Sequence, residues 1–155
     1  MQYIDYSACT GPQAVSAEID RLVGQRFISP EQGKMVPPDR IAALFATELG
    51  KRLQQGNVLR EFKFSILEDG TDYDPALAGE KVLLQGVVDC ALLEDDSITV
   101  IDFKTDFVTE ETLQAKVLGY QPQVEAYAGA LQRIYQKPVK QRYLYFFHLN
   151  RFVPV

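Results

Sequence analysis

Hydrophobic positions along the chain follow first a helical and then a strand period. From Pro12 the apolar residues Val15, Ile19, Leu22 and Val23 fall at helical spacing, with Thr10 or Gly11 as cap and proline in the first turn. Ser29-Pro30-Glu31-Gln32 reads as a capping box that opens a short helical turn. Beyond Pro37-Pro38, Asp39 is placed to cap a longer helix that carries Ile41, Leu44, Phe45 and Leu49 on one face and ends near Gly56. The period then drops to two. Phe62, Phe64 and Ile66 alternate with Glu61, Lys63 and Ser65, as in a half-buried strand over 60–67. Residues 68–80, rich in Gly, Asp and Pro, predict a loop, the segment expected to be most mobile. Residues 82–93 and 98–103 are apolar and largely β-branched, which suits strands buried on both faces. A helix follows, which Gly119 and Pro122 are expected to divide into a short helix from Glu111 and a longer one from about Tyr120 to Gln136. Residues 141–148 predict another strand, and 151–155 a last short one. Met1, Ile4 and Tyr6 read as the end of an element already under way. Helices, a three-strand meander, a helix and a strand predict an α/β fold: a mixed sheet with helices packed around it, the penultimate strand joining in parallel.

Three charged residues interrupt the apolar strands: Asp89, Asp102 and Lys104. With Asp95 and Asp96 as the central residues of a hairpin turn, Glu94 faces Ser97 and Asp89 falls opposite Asp102. Lys104, two residues beyond Asp102, emerges on the same face and opposite Val87. Like charges on directly opposed strand residues are destabilising, and a divalent cation removes the conflict. Hard oxygen donors without nitrogen or sulfur nearby suit Mg²⁺ or Mn²⁺ better than zinc. On the helix that follows, Tyr120, Gln123 and Tyr127 lie one above another on a single face.

The remaining composition narrows the function classes. A chain of 155 residues with 46% hydrophobic and 24% charged residues is one globular domain by size. No apolar run approaches the ~20 residues of a membrane span, and nothing at the start resembles a signal peptide. Cys9 and Cys90 read as free thiols, which together with the absence of a membrane segment points to the cytoplasm. The net charge of −5 argues against a free-standing nucleic-acid binder. Its distribution is uneven, at −8 over residues 1–103 and +3 over 104–155, so a polyanion is expected to approach the C-terminal third.

The ordered set of Gln85-Gly86-Val87-Val88-Asp89, Asp102-Phe103-Lys104-Thr105-Asp106, Gln123 with Tyr127, Arg60-Glu61 before an apolar strand, and Tyr143-Leu144-Tyr145-Phe146 closely resembles the RecB-like branch of the PD-(D/E)XK nucleases. Within that branch the chain is similar to the C-terminal nuclease domain of the A subunits of bacterial AddAB-type ATP-dependent helicase/nucleases. The resemblance implies a restriction-endonuclease-like fold with an N-terminal helical segment. It implies a single RecB-like domain over 1–155, with a helical part at 1–57 and a catalytic α/β core at 58–155, forming part of a longer helicase-nuclease chain. It also implies Mg²⁺, with Mn²⁺ as substitute, held by Asp89, Asp102 and the main-chain carbonyl of Phe103. Lys104 orients or activates the attacking water, Gln123, Tyr127 and Tyr120 line the site against DNA, and Glu61 and Gln85 support it. The activity implied is exonucleolytic hydrolysis of single strands delivered by the helicase, in double-strand break repair and recombination. ATP enters only through the helicase part of the polypeptide, and the other expected partners are DNA and the B subunit.

One departure stands out. RecB-like nucleases carry a metal-site histidine on a helix upstream of these motifs, whereas this chain has only His148, expected to be a strand residue without chemistry. The alternative to an active nuclease is therefore a catalytically silent module of the same fold that guides DNA or serves in docking between subunits. Residue by residue, Asp102 also fits a salt-bridge partner of Lys104, and Glu61 the solvent side of its strand.

Overall fold

In the computed structural model, which describes all 155 residues, the N-terminal third is helical. A 3₁₀ turn at Tyr6–Ala8 precedes α1 (Pro12–Gly24), α2 (Pro30–Met35), α3 (Pro38–Ala46) and α4 (Glu48–Gln55). The capping box on α2 forms: the Ser29 hydroxyl accepts from the Gln32 amide at 3.1 Å, and the Gln32 side chain accepts from the Ser29 amide at 2.8 Å. The single long helix expected from Asp39 is two helices, because Thr47 caps a new one. Its hydroxyl donates to the Leu44 carbonyl at 2.7 Å and accepts from the Gly50 amide at 2.9 Å. Asp39 lies inside the first turn of α3, whose cap position is Pro37.

The strands β1 (Asn57–Asp69), β2 (Lys81–Leu93), β3 (Ile98–Lys104), β4 (Val139–Phe146) and β5 (Arg151–Pro154) lie in that order in one sheet. β1, β2 and β3 form the expected antiparallel meander, β4 joins β3 in parallel, and β5 returns antiparallel to β4. The crossover from β3 to β4 is α5 (Glu110–Tyr135). The fold is thus the α/β arrangement expected, with a mixed sheet covered on both faces. One core cluster joins α1, α3 and α4 to the sheet through Val15, Leu22, Leu44 and Leu53 against Cys90, Leu92 and Ile101. A second joins α5 through Val124, Ala130 and Leu131 to Val88, Val100 and Leu144.

Two further expectations fail. β1 and β2 run on to Asp69 and Lys81, so the long loop contracts to residues 70–80, pinned by the Gly70 amide on the Glu80 carbonyl at 2.9 Å and by two 3₁₀ turns. And α5 is continuous through Gly119 and Pro122. Proline removes one helical hydrogen bond, but Pro122 and Leu118 lie on the exposed side, where water can satisfy the freed carbonyl. Val117, Val124, Ala128 and Leu131 on the opposite side are buried and hold the helix on the sheet.

Candidate active site

The β2–β3 hairpin has the expected register. Leu93 faces Ile98, Cys90 faces Ile101, and the Glu94 amide donates to the Ser97 carbonyl at 2.9 Å across the two-residue turn. Asp89 and Asp102 would form the next pair, but the ladder ends at Cys90–Ile101. There the strands part, and the Phe103 amide donates to Asp89 Oδ2 at 3.0 Å. Lys104 therefore does not pair with Val87. It pairs with Phe146 of β4 instead.

A second irregularity coincides with the first. Leu59 and Phe62 both pack in the α5 core, as do Val88 and Ala91. Residues three apart on a regular strand point to opposite faces, so both strands invert their alternation at the same level. Arg60 pairs with Cys90 and Phe62 with Val88, while Glu61 and Asp89 between them are unpaired. Glu61 has φ of 49°, a left-handed conformation that costs a non-glycine residue about 1–3 kcal/mol. The inversion turns Glu61 and Asp89 into a cleft of about 570 Å³, also lined by Arg40, Phe103, Thr105 and Phe147.

Asp102 approaches the gap from the α5 side. It is only 2% exposed, and its Oδ2 lies 2.6 Å from Lys104 Nζ as an ion pair, without a hydrogen-bond partner of good geometry. Burial raises its carboxyl above the ordinary range. Lys104 opposes the rise, and the charge of Asp89 adds to it. Lys104 donates to Gln123 Oε1 at 2.9 Å and sits 3.8 Å from the centre of the Tyr120 ring. Gln123 Nε2 in turn donates to the Tyr127 hydroxyl at 2.9 Å, and Tyr127 meets Phe64 edge-on. The three helix residues thus converge on the lysine, Gln123 and Tyr120 directly and Tyr127 through Gln123.

Of the residues singled out in the sequence, Asp102, Lys104, Tyr120, Gln123 and Tyr127 come together on the α5 side of the gap, and Asp89, Glu61 and Phe103 on the cleft side. Gln85 stands apart, with its amide on Ser65 Oγ at 3.2 Å. His148 is in the β4–β5 turn rather than in a strand. Sequence reasoning passed over Asp106 as a structural residue. It accepts from the Tyr120 hydroxyl and pairs with Lys116 at 3.3 Å, which keeps its carboxyl below the ordinary range. Arg40, whose Nη1 donates to the Phe147 carbonyl at 2.9 Å, had no signal in the sequence, because its partner is over a hundred residues away.

The donor set fits a hard divalent cation. It offers two carboxylates at one strand gap, one with a buried oxygen lacking a hydrogen bond, and no cysteine or histidine lines the cleft. No group of three or more His, Cys, Asp or Glu side chains converges. Protein carboxylates would therefore fill two positions and leave the rest to main chain, water or phosphate.

The site is thus a mixed sheet with an Asp and an Asp-x-Lys at the gap between two strands, covered by a helix bearing Gln-x-x-x-Tyr. The chain belongs to the PD-(D/E)XK nuclease superfamily, whose family model matches residues 7–152. Nucleases of this superfamily generally use divalent metal ions. The whole chain is 35% identical to part of the A subunit of an ATP-dependent helicase/nuclease from Clostridium botulinum (strain Okra / Type B1), and 34% identical to part of its counterpart from Carboxydothermus hydrogenoformans. It spans 12% and 14% of the length of these curated relatives. No helix is long and apolar enough to cross a membrane.

Proposed function

We propose that this chain is a Mg²⁺-dependent deoxyribonuclease domain, acting exonucleolytically on single strands delivered by the helicase part of a longer polypeptide during double-strand break repair and recombination. The observation that carries the reading is the buried Asp102 held 2.6 Å from Lys104 at the strand gap that Asp89 faces from the other side. A cytoplasmic setting, partnership with a B subunit, and a single catalytic unit over 1–155 belong to the same proposal.

Asp89 and Asp102, with the Phe103 carbonyl, would hold the cation, and Mn²⁺ would serve in its place. When bound, the cation supplies Lewis-acid polarisation of phosphoryl and water oxygens. Lys104 places an ammonium where the phosphoryl oxygens gain charge during in-line attack by water. Gln123 and the Tyr120 ring fix that ammonium, so it needs little reorganisation as the charge develops. Tyr127 braces Gln123 from behind, and the Glu61 carboxylate adds a further acceptor beside Asp89.

The test is cleavage of end-labelled single-stranded DNA in Mg²⁺, Mn²⁺ or EDTA, beside Asp102→Ala and Lys104→Ala. Metal-dependent cutting that Lys104→Ala lowers by about 10²–10³ supports the reading. Cutting that survives EDTA or both substitutions overturns it. The second reading, a silent DNA-guiding or docking module, draws on the split of the carboxylates between two sides of the gap. It predicts DNA binding without cutting in every buffer.

A further inference from the structure

The end of the sheet that bears the carboxylates also presents an aromatic surface with no part in the core. Phe107 is 74% exposed, yet it sits between two anchored residues: Asp106, fixed by Tyr120 and Lys116, and Val108, which is fully buried. A short, tethered loop thus holds the phenyl ring out into solvent. Its aromatic neighbour is His148 of the β4–β5 turn, with ring centroids 4.3 Å apart and planes inclined by 48°. His148 is held in turn by Arg40, whose Nη1 lies 3.4 Å from Nδ1 while donating to the Phe147 carbonyl. Arginine only donates, so the imidazole nitrogen facing it is the acceptor.

This pair adjoins the candidate site along both chain directions. Thr105, two residues before Phe107, and Phe147, directly before His148, line the cleft that contains Asp89 and Glu61, and Arg40 forms part of the same wall. The β3 and β4 ends are tied together here by the Phe147 amide on the Lys104 carbonyl at 3.0 Å. A single exposed apolar ring is ordinary. An exposed ring tilted against an imidazole, beside a guanidinium, next to a cleft holding two carboxylates is a specific combination.

We propose that Phe107 and His148 form a stacking platform for an unpaired base of the DNA strand, adjacent to the phosphodiester presented to Asp89, Asp102 and Lys104. An aromatic face accepts any base, because every base has a π-face, and the neighbouring cation adds to the attraction. In a duplex both faces of each base are covered by neighbours, so the platform selects single strands or frayed ends. The inference rests on the nuclease reading and deepens it, placing strand preference in the domain itself rather than only in how DNA is delivered.

The experiment is equilibrium binding of a fluorescein-labelled oligothymidylate in EDTA, so that no cutting intervenes, by this chain and by Phe107→Ala and Phe107→Trp. Circular dichroism confirms that each is folded, which the exposure of the ring leads one to expect. Phe107→Ala is expected to weaken binding roughly five- to a hundredfold, and Phe107→Trp to retain it. On a strand with abasic sites the alanine variant and the parent chain should bind alike. Equal binding of oligothymidylate by the alanine variant and a parent chain that binds and cuts single strands overturns the platform and leaves the nuclease reading intact. A difference that persists on the abasic strand overturns it too. A folded parent chain that neither binds nor cuts single strands overturns both.

Discussion

Asp89 Oδ2 accepts the Phe103 amide at the point where β2 and β3 cease to pair. A carboxylate thereby takes the place of the next rung of the ladder. It satisfies a backbone donor with one oxygen while the side chain lines the cleft. One residue closes the strand end and opens the site.

Substitutions at Asp89 should separate these two roles. Asn keeps an oxygen that can accept the Phe103 amide but carries no charge, whereas Ala leaves a partly buried donor unpaired, at a cost of about 1–3 kcal/mol. Urea denaturation is expected to show Asp89→Asn close to the parent chain and Asp89→Ala less stable by that amount. Cleavage should be lost in both. An Asn variant as unstable as Ala would mean that the hydrogen bond depends on the charge.

Asp102 is the group whose charge should oppose folding. Its carboxyl is raised from an ordinary value of 3.8 because burial outweighs the attraction of Lys104, so the folded chain holds this proton more tightly than the unfolded one. The contribution of Asp102 to stability is then most favourable below pH ~4 and declines as pH rises through its folded value. In EDTA at neutral pH, Asp102→Asn should melt at or above the temperature of the parent chain, and the gap should close on acidification. Added Mg²⁺ should raise the melting temperature of the parent chain and leave that of Asp102→Asn unmoved. Marked destabilisation by Asn across the pH range would instead make the Lys104–Asp102 pair a structural tie.

Much of this arrangement is legible in the sequence because its determinants are local. The Asp95-Asp96 turn sets the hairpin register, and the spacing of Tyr120, Gln123 and Tyr127 puts them on one helix face whether or not Pro122 breaks the helix. The family likeness rests on those same residues. What was hidden depends on tertiary forces. Nothing about Glu61 announces a left-handed backbone, since the residues that adopt it readily are Gly and Asn, so the double inversion at Glu61 and Asp89 could not be foreseen. Strict alternation therefore put Asp89 and Lys104 on one face, when they reach the gap from two. Pro122 is tolerated because its ring faces water, and burial of other residues on α5 is what decides that.

Gly86 links the strand motif to the helix motif. A Cβ there would meet two atoms of the Phe64 ring at 2.7 Å and Tyr127 at 3.2 Å. Gly86→Ala should displace both rings, costing about 1–3 kcal/mol as an overpacked core site. Because Tyr127 braces Gln123 and Gln123 holds Lys104, cleavage should fall further than the loss of folded protein accounts for. Comparing specific activity with the folded fraction from urea denaturation at the assay temperature checks this. Activity that tracks the folded fraction would confine the role of Gly86 to packing.

Glu61 offers the sharpest conflict between stability and function. Its φ of 49° is unfavourable for any side chain with a Cβ, and it coincides with the step at which Glu61 and Asp89 turn into the cleft. Removing the carboxylate in two ways separates backbone from chemistry. Glu61→Ala keeps the backbone penalty and Glu61→Gly relieves it, so Gly should be the more stable of the two by about 1 kcal/mol, the reverse of the order in an ordinary strand. If the carboxylate contributes to the reaction, both variants should lose cleavage to the same extent despite that difference. Ala and Gly of equal stability would show that the left-handed backbone is not maintained in solution. Full cleavage by both would reduce Glu61 to the hinge of the inversion, with the cation held by Asp89 and Asp102 alone.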